Sequence, residues 1–434
     1  MTAFALRGRI AHCLRDPGPD NDPDAIEAFE DGLLVIEDGR IAQLGPAEAL
    51  LKTLPETLPV THYDAHLIVP GFIDCHVHYP QVDVLASYGK QLLDWLNDYT
   101  FPSEARFSDR AVADETARFF VDELLANGTT TALVFCTVHA HSVDALFEAA
   151  ARYNLRMGAG KVLMDRHCPE NLCDTAESGY RESRELIERW HGNGRAHYAI
   201  TPRFAPTSTN EQLRLAGELA NEFPDTLVHT HLAENPDEIA WVGELFPEAD
   251  DYLDVYKRAG LLRERSVFAH CLHLSDQEFT NMGRAGCAAA FCPTSNLFLG
   301  SGLFDLARAR THGVRVGLGT DIGGGTSFSL LRTGGEAYKV LQLQGQSLTG
   351  FRALYLATLG GAESLHLDDK IGSFRKGMEA DIAVIKMGGT PVAARRHAIA
   401  TSIEESLFVS LIVDGAQRIR ATYAMGREVM THDP

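Results

Sequence analysis

Between Leu67 and about Gly360 the chain alternates short apolar runs with longer stretches of helical periodicity. Eight runs stand out: Gly71–Cys75, Thr129–Phe135, Arg156–Leu163, Ala196–Phe204, Leu227–Leu232, Ser266–His270, Cys287–Phe291 and Val316–Thr320. Helix punctuation lies between them. The stretch after Ser108 closes at Gly128, a residue suited to a helix C-terminus. Thr209 with Gln212, and Ser275 with Glu278, have capping-box spacing at two later helix starts. Eight strand–helix units predict a (β/α)8 barrel. An open doubly wound sheet is the alternative, but the early chain lacks the glycine fingerprint of a dinucleotide fold. The chain ends read differently. Asp31–Pro46 (DGLLVIEDGRIAQLGP) predicts two strands around a turn at Asp38-Gly39, and Ala380–Ile385, Phe408–Val413 and Ala421–Val429 predict more. The expected layout is a barrel over residues 67–369, flanked by a β-rich module made from 1–66 and 370–434.

Composition narrows the partners. Of 434 residues, 59 are acidic and 39 basic, for a net charge of −20. Such a surface repels phosphate backbones and anionic lipid heads, so no nucleic acid and no membrane is expected as partner. A neutral small molecule suits it better. Met1–Pro17 has no apolar stretch of secretory length, and no later run approaches the ~18 apolar residues of a membrane helix. A cytoplasmic location is therefore expected. Eight cysteines are too few for a disulfide scaffold. Cys168 and Cys173, in a loop-like stretch, read as thiols rather than as a metal pair.

Barrel chemistry gathers where strands end, and reactive residues fall there. The first strand ends in His76-Val77-His78, whose imidazoles at i and i+2 point the same way and can grip one metal. The fifth ends in His229-Thr230-His231, with Glu234 just beyond. The sixth ends at His270 and the eighth in Gly319-Thr320-Asp321. Imidazole and carboxylate suit Zn2+, with Fe2+ as the alternative. His231 is preferred to His229 because Glu234 lies three residues on; His229 reads as a packed neighbour. His139 and His141 repeat the H-x-H pattern without a companion feature and read as loop histidines. His167, His191, His273 and His312 carry no site signal.

The P-G-F-I-D-x-H-x-H opening, together with the later histidines and aspartate, resembles the amidohydrolase superfamily over essentially the whole length. Finer stretches resemble its guanine-deaminating members: HYPQVDVLASYG and LLDWLNDYTFPSE (between His78 and Glu104), GKVLMD (Gly160–Asp165), TPRF (Thr201–Phe204), HLAEN (His231–Asn235) and GTDIGGGTSFSLL (Gly319–Leu331). Cys75 stands where that group has threonine, at a position that is not a ligand. The resemblance implies a TIM-like barrel with a small flanking β-sandwich, and hydrolytic deamination of guanine to xanthine and ammonia. It implies His76, His78, His231 and Asp321 as ligands of one Zn2+ per subunit, with His270 beside the attacking water. Glu234 would protonate the ring nitrogen next to C2 and then the departing amine, while Asp321 accepts a proton from the water. Gln81, Arg203 and Phe204 would hold the free purine base; Trp95 and Phe101 are candidate pocket walls. Two-metal relatives place a carbamylated lysine at the end of strand four, where this chain has Arg203; Lys161 falls on strand three. The resemblance also implies a homodimer.

Two other readings share much of this pattern. A related amidohydrolase could act on another purine, a pterin or a triazine, or open a cyclic amide, with the same metal and acid–base residues. A non-catalytic metal-binding barrel would show a broken ligand set, which this chain does not. The other zinc deaminase architecture, H-x-E followed by P-C-x-x-C, is absent.

Overall fold

The computed structural model describes residues 3–88, 91–413 and 419–432. Gly89, the last residue of HYPQVDVLASYG, lies outside them. Four strands open the chain: β1 (Ala3–Cys13), β2 (Ile26–Glu37), β3 (Arg40–Pro46) and β4 (Val60–Pro70). Nine follow: β5 (Phe72–His78), β6 (Thr129–Phe135), β7 (Arg156–Gly160), β8 (Val162–Leu163), β9 (Ala196–Pro202), β10 (Leu227–Leu232), β11 (Ser266–His270), β12 (Ala288–Phe291) and β13 (Arg315–Leu318). Three more lie near the C-terminus: β14 (Ile382–Lys386), β15 (Ile419–Ala424) and β16 (Arg427–Thr431).

The residues form two compact units, one of 1–73, 122–131 and 328–434, the other of 74–121 and 132–327. The first contains a seven-stranded mixed sheet in the order β16-β15-β14-β4-β1-β2-β3, built from both chain ends. The expected turn joins β2 to β3, with Asp38 and Gly39 at φ 49° and 80°, the left-handed values a two-residue hairpin requires. The sheet buries Leu6, Ile10, Leu34, Ile36, Ile68, Ile382, Val384 and Tyr423 in one cluster.

One expected strand in this unit is a helix. Phe408–Val413 falls at the end of helix Ile403–Ile412, which Ser402 caps by accepting from Glu405 N at 3.1 Å. An apolar run of six residues fits either element, and the cap upstream decides it.

The second unit carries most of a near-closed parallel barrel, in strand order β5-β6-β7-β9-β10-β11-β12-β13, with the short β8 continuing β7 along β9. β5 and β6 are buried at every residue. That burial explains why the barrel strands read as continuous apolar runs, since a parallel sheet is covered on both faces. Hydrogen bonds link the chain just after β13 to β5: Asp321 N donates to His76 O at 2.9 Å, and Thr320 N donates to Asp74 Oδ1 at 3.0 Å. Thr320 Oγ1 also donates to Asp74 Oδ2. The expected helix punctuation is present: Thr209 accepts from Gln212 N, and Ser275 and Glu278 form a full capping box.

Cys168 and Cys173 are joined in a disulfide, correcting the expectation of free thiols. A short 3-10 turn, Glu170–Leu172, brings their Cα atoms to 5.8 Å, within bridging range. The other six cysteines are buried and outside any disulfide.

Candidate active site

β5 presents His76 and His78 from its last turn of pleat, and β10 presents His231. Asp321 follows β13 with φ 51°, a left-handed value that aspartate tolerates better than most residues. The ends of these strands bring four donor atoms together. His78 Nε2 lies 3.3 Å from His76 Nε2, 3.2 Å from His231 Nε2 and 3.5 Å from Asp321 Oδ1. His76 Nε2 lies 3.2 Å from Asp321 Oδ1. A regular tetrahedron with edges of this size has its corners ~2 Å from its centre, the length of a zinc–imidazole bond. The donor set therefore fits a divalent cation.

Protonation and orientation agree with that fit. Burial, reinforced by neighbouring histidines and Arg203, pushes His76, His78 and His231 well below the usual imidazole range, which favours the neutral form that can ligate a metal. His231 Nδ1–H donates to Arg203 O at 2.7 Å, which leaves Nε2 bare. His76 Nδ1 and His229 Nε2 share a hydrogen bond at 2.8 Å. His229 therefore orients a neighbouring imidazole, a more specific role than packing. Asp74 is a further buried neighbour: its Oδ1 accepts from His76 N at 3.2 Å, and burial raises its carboxyl to about 7.

Glu234 and His270 stand beside the cluster. His270 Nε2 lies 3.4 Å from Glu234 Oε2 and 3.8 Å from Asp321 Oδ2. Its Nδ1–H donates to Asn296 Oδ1 at 2.8 Å, and its φ of 72° is a strained value that this setting holds. Burial works against the charged form of His270, but the Glu234 and Asp321 carboxylates outweigh it and raise its pKa. Burial pushes Glu234 up to about 7. Ser301 Oγ donates to Glu234 Oε1 at 2.9 Å. Glu238 accepts from Glu234 N and Asn235 N, at 3.0 and 3.1 Å, and fixes the turn into the next helix.

A cavity opens over these groups, lined by Gln81, Trp95, Arg203, Phe204 and Leu299 among others. Arg203, Gln81 and Phe204 are all buried, so Arg203 is no surface ion pair. Phe101 stands behind the wall, its ring 5.3 Å from the Arg203 guanidinium carbon. The wall segment runs from Leu92–Trp95 through a π-helical turn, Leu96–Thr100, into Phe101–Ala105; such turns concentrate at functional sites.

Sequence reasoning missed Glu104, Asn296, Ser301 and the role of Asp74. Glu104 and Asp74 lie inside the motifs FPSE and PGFID, but nothing in either motif reveals a partner distant in sequence. The remaining histidines lie elsewhere. His139 precedes helix Ala140–Ala151, and His141 bonds Phe107 O at 2.7 Å. His273 bonds Ser301 O, His312 bonds Thr280, His191 pairs with Asp225, and His167 bonds Pro206 O. Lys161 is buried against Asp174 and Glu182.

Residues 67–429 match the model of the amidohydrolase family. Guanine deaminase of Escherichia coli (strain K12) is 53% identical over 429 residues, covering 99% of this chain and 98% of that protein. A solved structure of an E. coli guanine deaminase is 52% identical and aligns with a TM-score of 0.97, over 99% of this chain and 100% of the other. A guanine deaminase from C. acetobutylicum, solved with guanine in its active site, is 29% identical with a TM-score of 0.89, over 99% and 100% of the two chains.

Proposed function

This chain belongs to the amidohydrolase family, and we propose from that membership that it removes the 2-amino group of guanine by hydrolysis, giving xanthine and ammonia. The observation that carries this reading is the convergence of three neutral imidazoles, one aspartate and an acid–base glutamate under a cavity edged by Arg203 and Gln81. His76, His78, His231 and Asp321 would hold one divalent metal ion per subunit, with Zn2+ the best match to the donors. When bound, such an ion supplies a water acidified from ~15.7 toward ~7. Arg203, which stands where two-metal relatives carry a lysine, and Lys161, tied to Asp174, support a single ion.

The chain's own groups handle the protons. Guanine's C2 is poorly electrophilic, and its amine leaves only when protonated. Over the whole reaction the attacking water loses two protons, one ending on the ring nitrogen beside C2 and one on ammonia. Glu234, entering as carboxylate, takes the first and passes it to the ring nitrogen. Asp321 takes the second as the added oxygen becomes a carbonyl, and Glu234 relays it to the amine. His270, held by Asn296, stabilises charge on the attacking oxygen. Arg203 donates to the base carbonyl, Gln81 reads the ring edge and Phe204 covers the apolar face.

We place the catalytic body at 67–369 and the flanking module at 1–66 with 370–434. No helix among the described residues is long and apolar enough to cross a membrane; we propose a cytoplasmic location, and the family resemblance implies a homodimer acting on a free base. The test is Glu234→Gln, which should keep its metal and lose about 10²–10⁴ in turnover. Near-normal ammonia release would remove Glu234 from the mechanism.

A further inference from the structure

One fully buried carboxylate organises both polar groups on the base-reading side of the cavity. Glu104 Oε1 accepts from Gln81 Nε2 at 3.0 Å and from Arg203 Nη1 at 2.9 Å, and Oε2 accepts from the same Nη1 at 2.8 Å. The helix that carries it, Phe101–Ala105, is pinned to the Gln81 segment by Ser103 Oγ donating to Pro80 O at 3.0 Å. An ionised carboxylate only accepts. Gln81 must therefore turn its NH2 toward Glu104; the opposite flip would set two acceptor oxygens face to face.

A second feature holds the same orientation. Gly323, at φ 114°, lies so close that a Cβ there would stand 2.3 Å from Gln81 Oε1 and 2.7 Å from Gln81 Cβ. Only glycine leaves room for the amide carbonyl on that side. Among the described residues no protein group donates to Gln81 Oε1, and Arg203 Nη2 and Nε donate to none. The site thus offers unspent donors on Arg203 and an unspent acceptor on Gln81, with Glu104 fixing both.

We propose that Glu104 is a positioning residue that sets the hydrogen-bond polarity of this edge, so that the site selects a ring carbonyl beside a ring N–H and rejects an amino group beside a bare ring nitrogen. The proposal rests on the guanine reading. Guanine presents O6 as acceptor to Arg203 and N1–H as donor to Gln81 Oε1. A 6-aminopurine presents the reverse pair, which leaves donor facing donor and acceptor facing acceptor in a buried site.

The test compares guanine with 2,6-diaminopurine, which keeps the 2-amino group and differs at position 6. Glu104→Gln lets both amides flip and removes the countercharge of Arg203. With metal content and melting temperature measured alongside, the variant should raise the KM for guanine about tenfold. It should change kcat less than KM, and shift the kcat/KM ratio toward 2,6-diaminopurine by about tenfold or more. If both substrates lose the same factor, Glu104 is only structural and the proposal is wrong. If Glu104→Gln does not fold, Gln81→Leu keeps the Arg203–Glu104 pair and should shift the ratio the same way; an unchanged ratio there also overturns it. A wild-type enzyme without guanine turnover would instead strike down the substrate reading, and this assignment with it.

Discussion

Burial sets the working state of the residues around the candidate metal site. His76, His78 and His231 are held neutral by desolvation, while the same burial lifts Glu234 to about 7. In the proposed mechanism Glu234 enters as a carboxylate, and a raised pKa would leave it protonated, and inactive in that step, below about 7. The profile of kcat/KM should therefore rise with pH through a limb near 7, far above the 4.5 of an ordinary glutamate; a profile flat down to pH 5 would contradict it. Arg203→Ala should raise the KM for guanine, as steady-state kinetics would show; an unchanged KM would remove Arg203 from the binding site. The ligand candidates were legible in the sequence because each sits at a strand end in a short motif. Glu104 was not, because its partners Gln81 and Arg203 are 23 and 99 residues away and only the folded barrel brings them together. His229 was half legible: its inward face followed from its position two residues before His231, but its bond to His76 spans 153 residues.

Among the elements, the loop after β13 places Asp321 and leaves little tolerance. A Cβ on Gly325 would stand 1.8 Å from Thr320 O, so Gly325→Ala must shift backbone beside Asp321. That variant should lose about 1–3 kcal/mol of stability and most of its activity; a melting temperature and turnover like wild type would show that the loop yields freely. The helix Ile403–Ile412 offers a separate check. If Ser402 caps it, Ser402→Ala should cost about 1 kcal/mol in denaturant unfolding, whereas a strand there would make the change neutral. The barrel strands could be read from sequence because a parallel sheet buried on both faces leaves unbroken apolar runs. The same property hid the helix at Phe408–Val413, where periodicity alone cannot separate the two. The Cys168–Cys173 bridge depends on a turn geometry that spacing does not reveal.

For the whole molecule, strand ends distant in sequence converge on one cluster of donor atoms, which the proposed function makes a metal-dependent centre acting on guanine. Folding and metal binding are linked, because an ion that binds only the folded chain stabilises it by about 4 kcal/mol at a thousandfold excess over its dissociation constant. Chelation should therefore lower the melting temperature, and metal return should restore it. The most direct measurement follows the ultraviolet conversion of guanine to xanthine by the purified protein as isolated, after chelation, and after stoichiometric Zn2+ is returned. Turnover that disappears with the metal and returns at about one ion per chain is the predicted result. Guanine left unchanged by the metal-replete protein, or deaminated equally well by the metal-free one, would contradict the account.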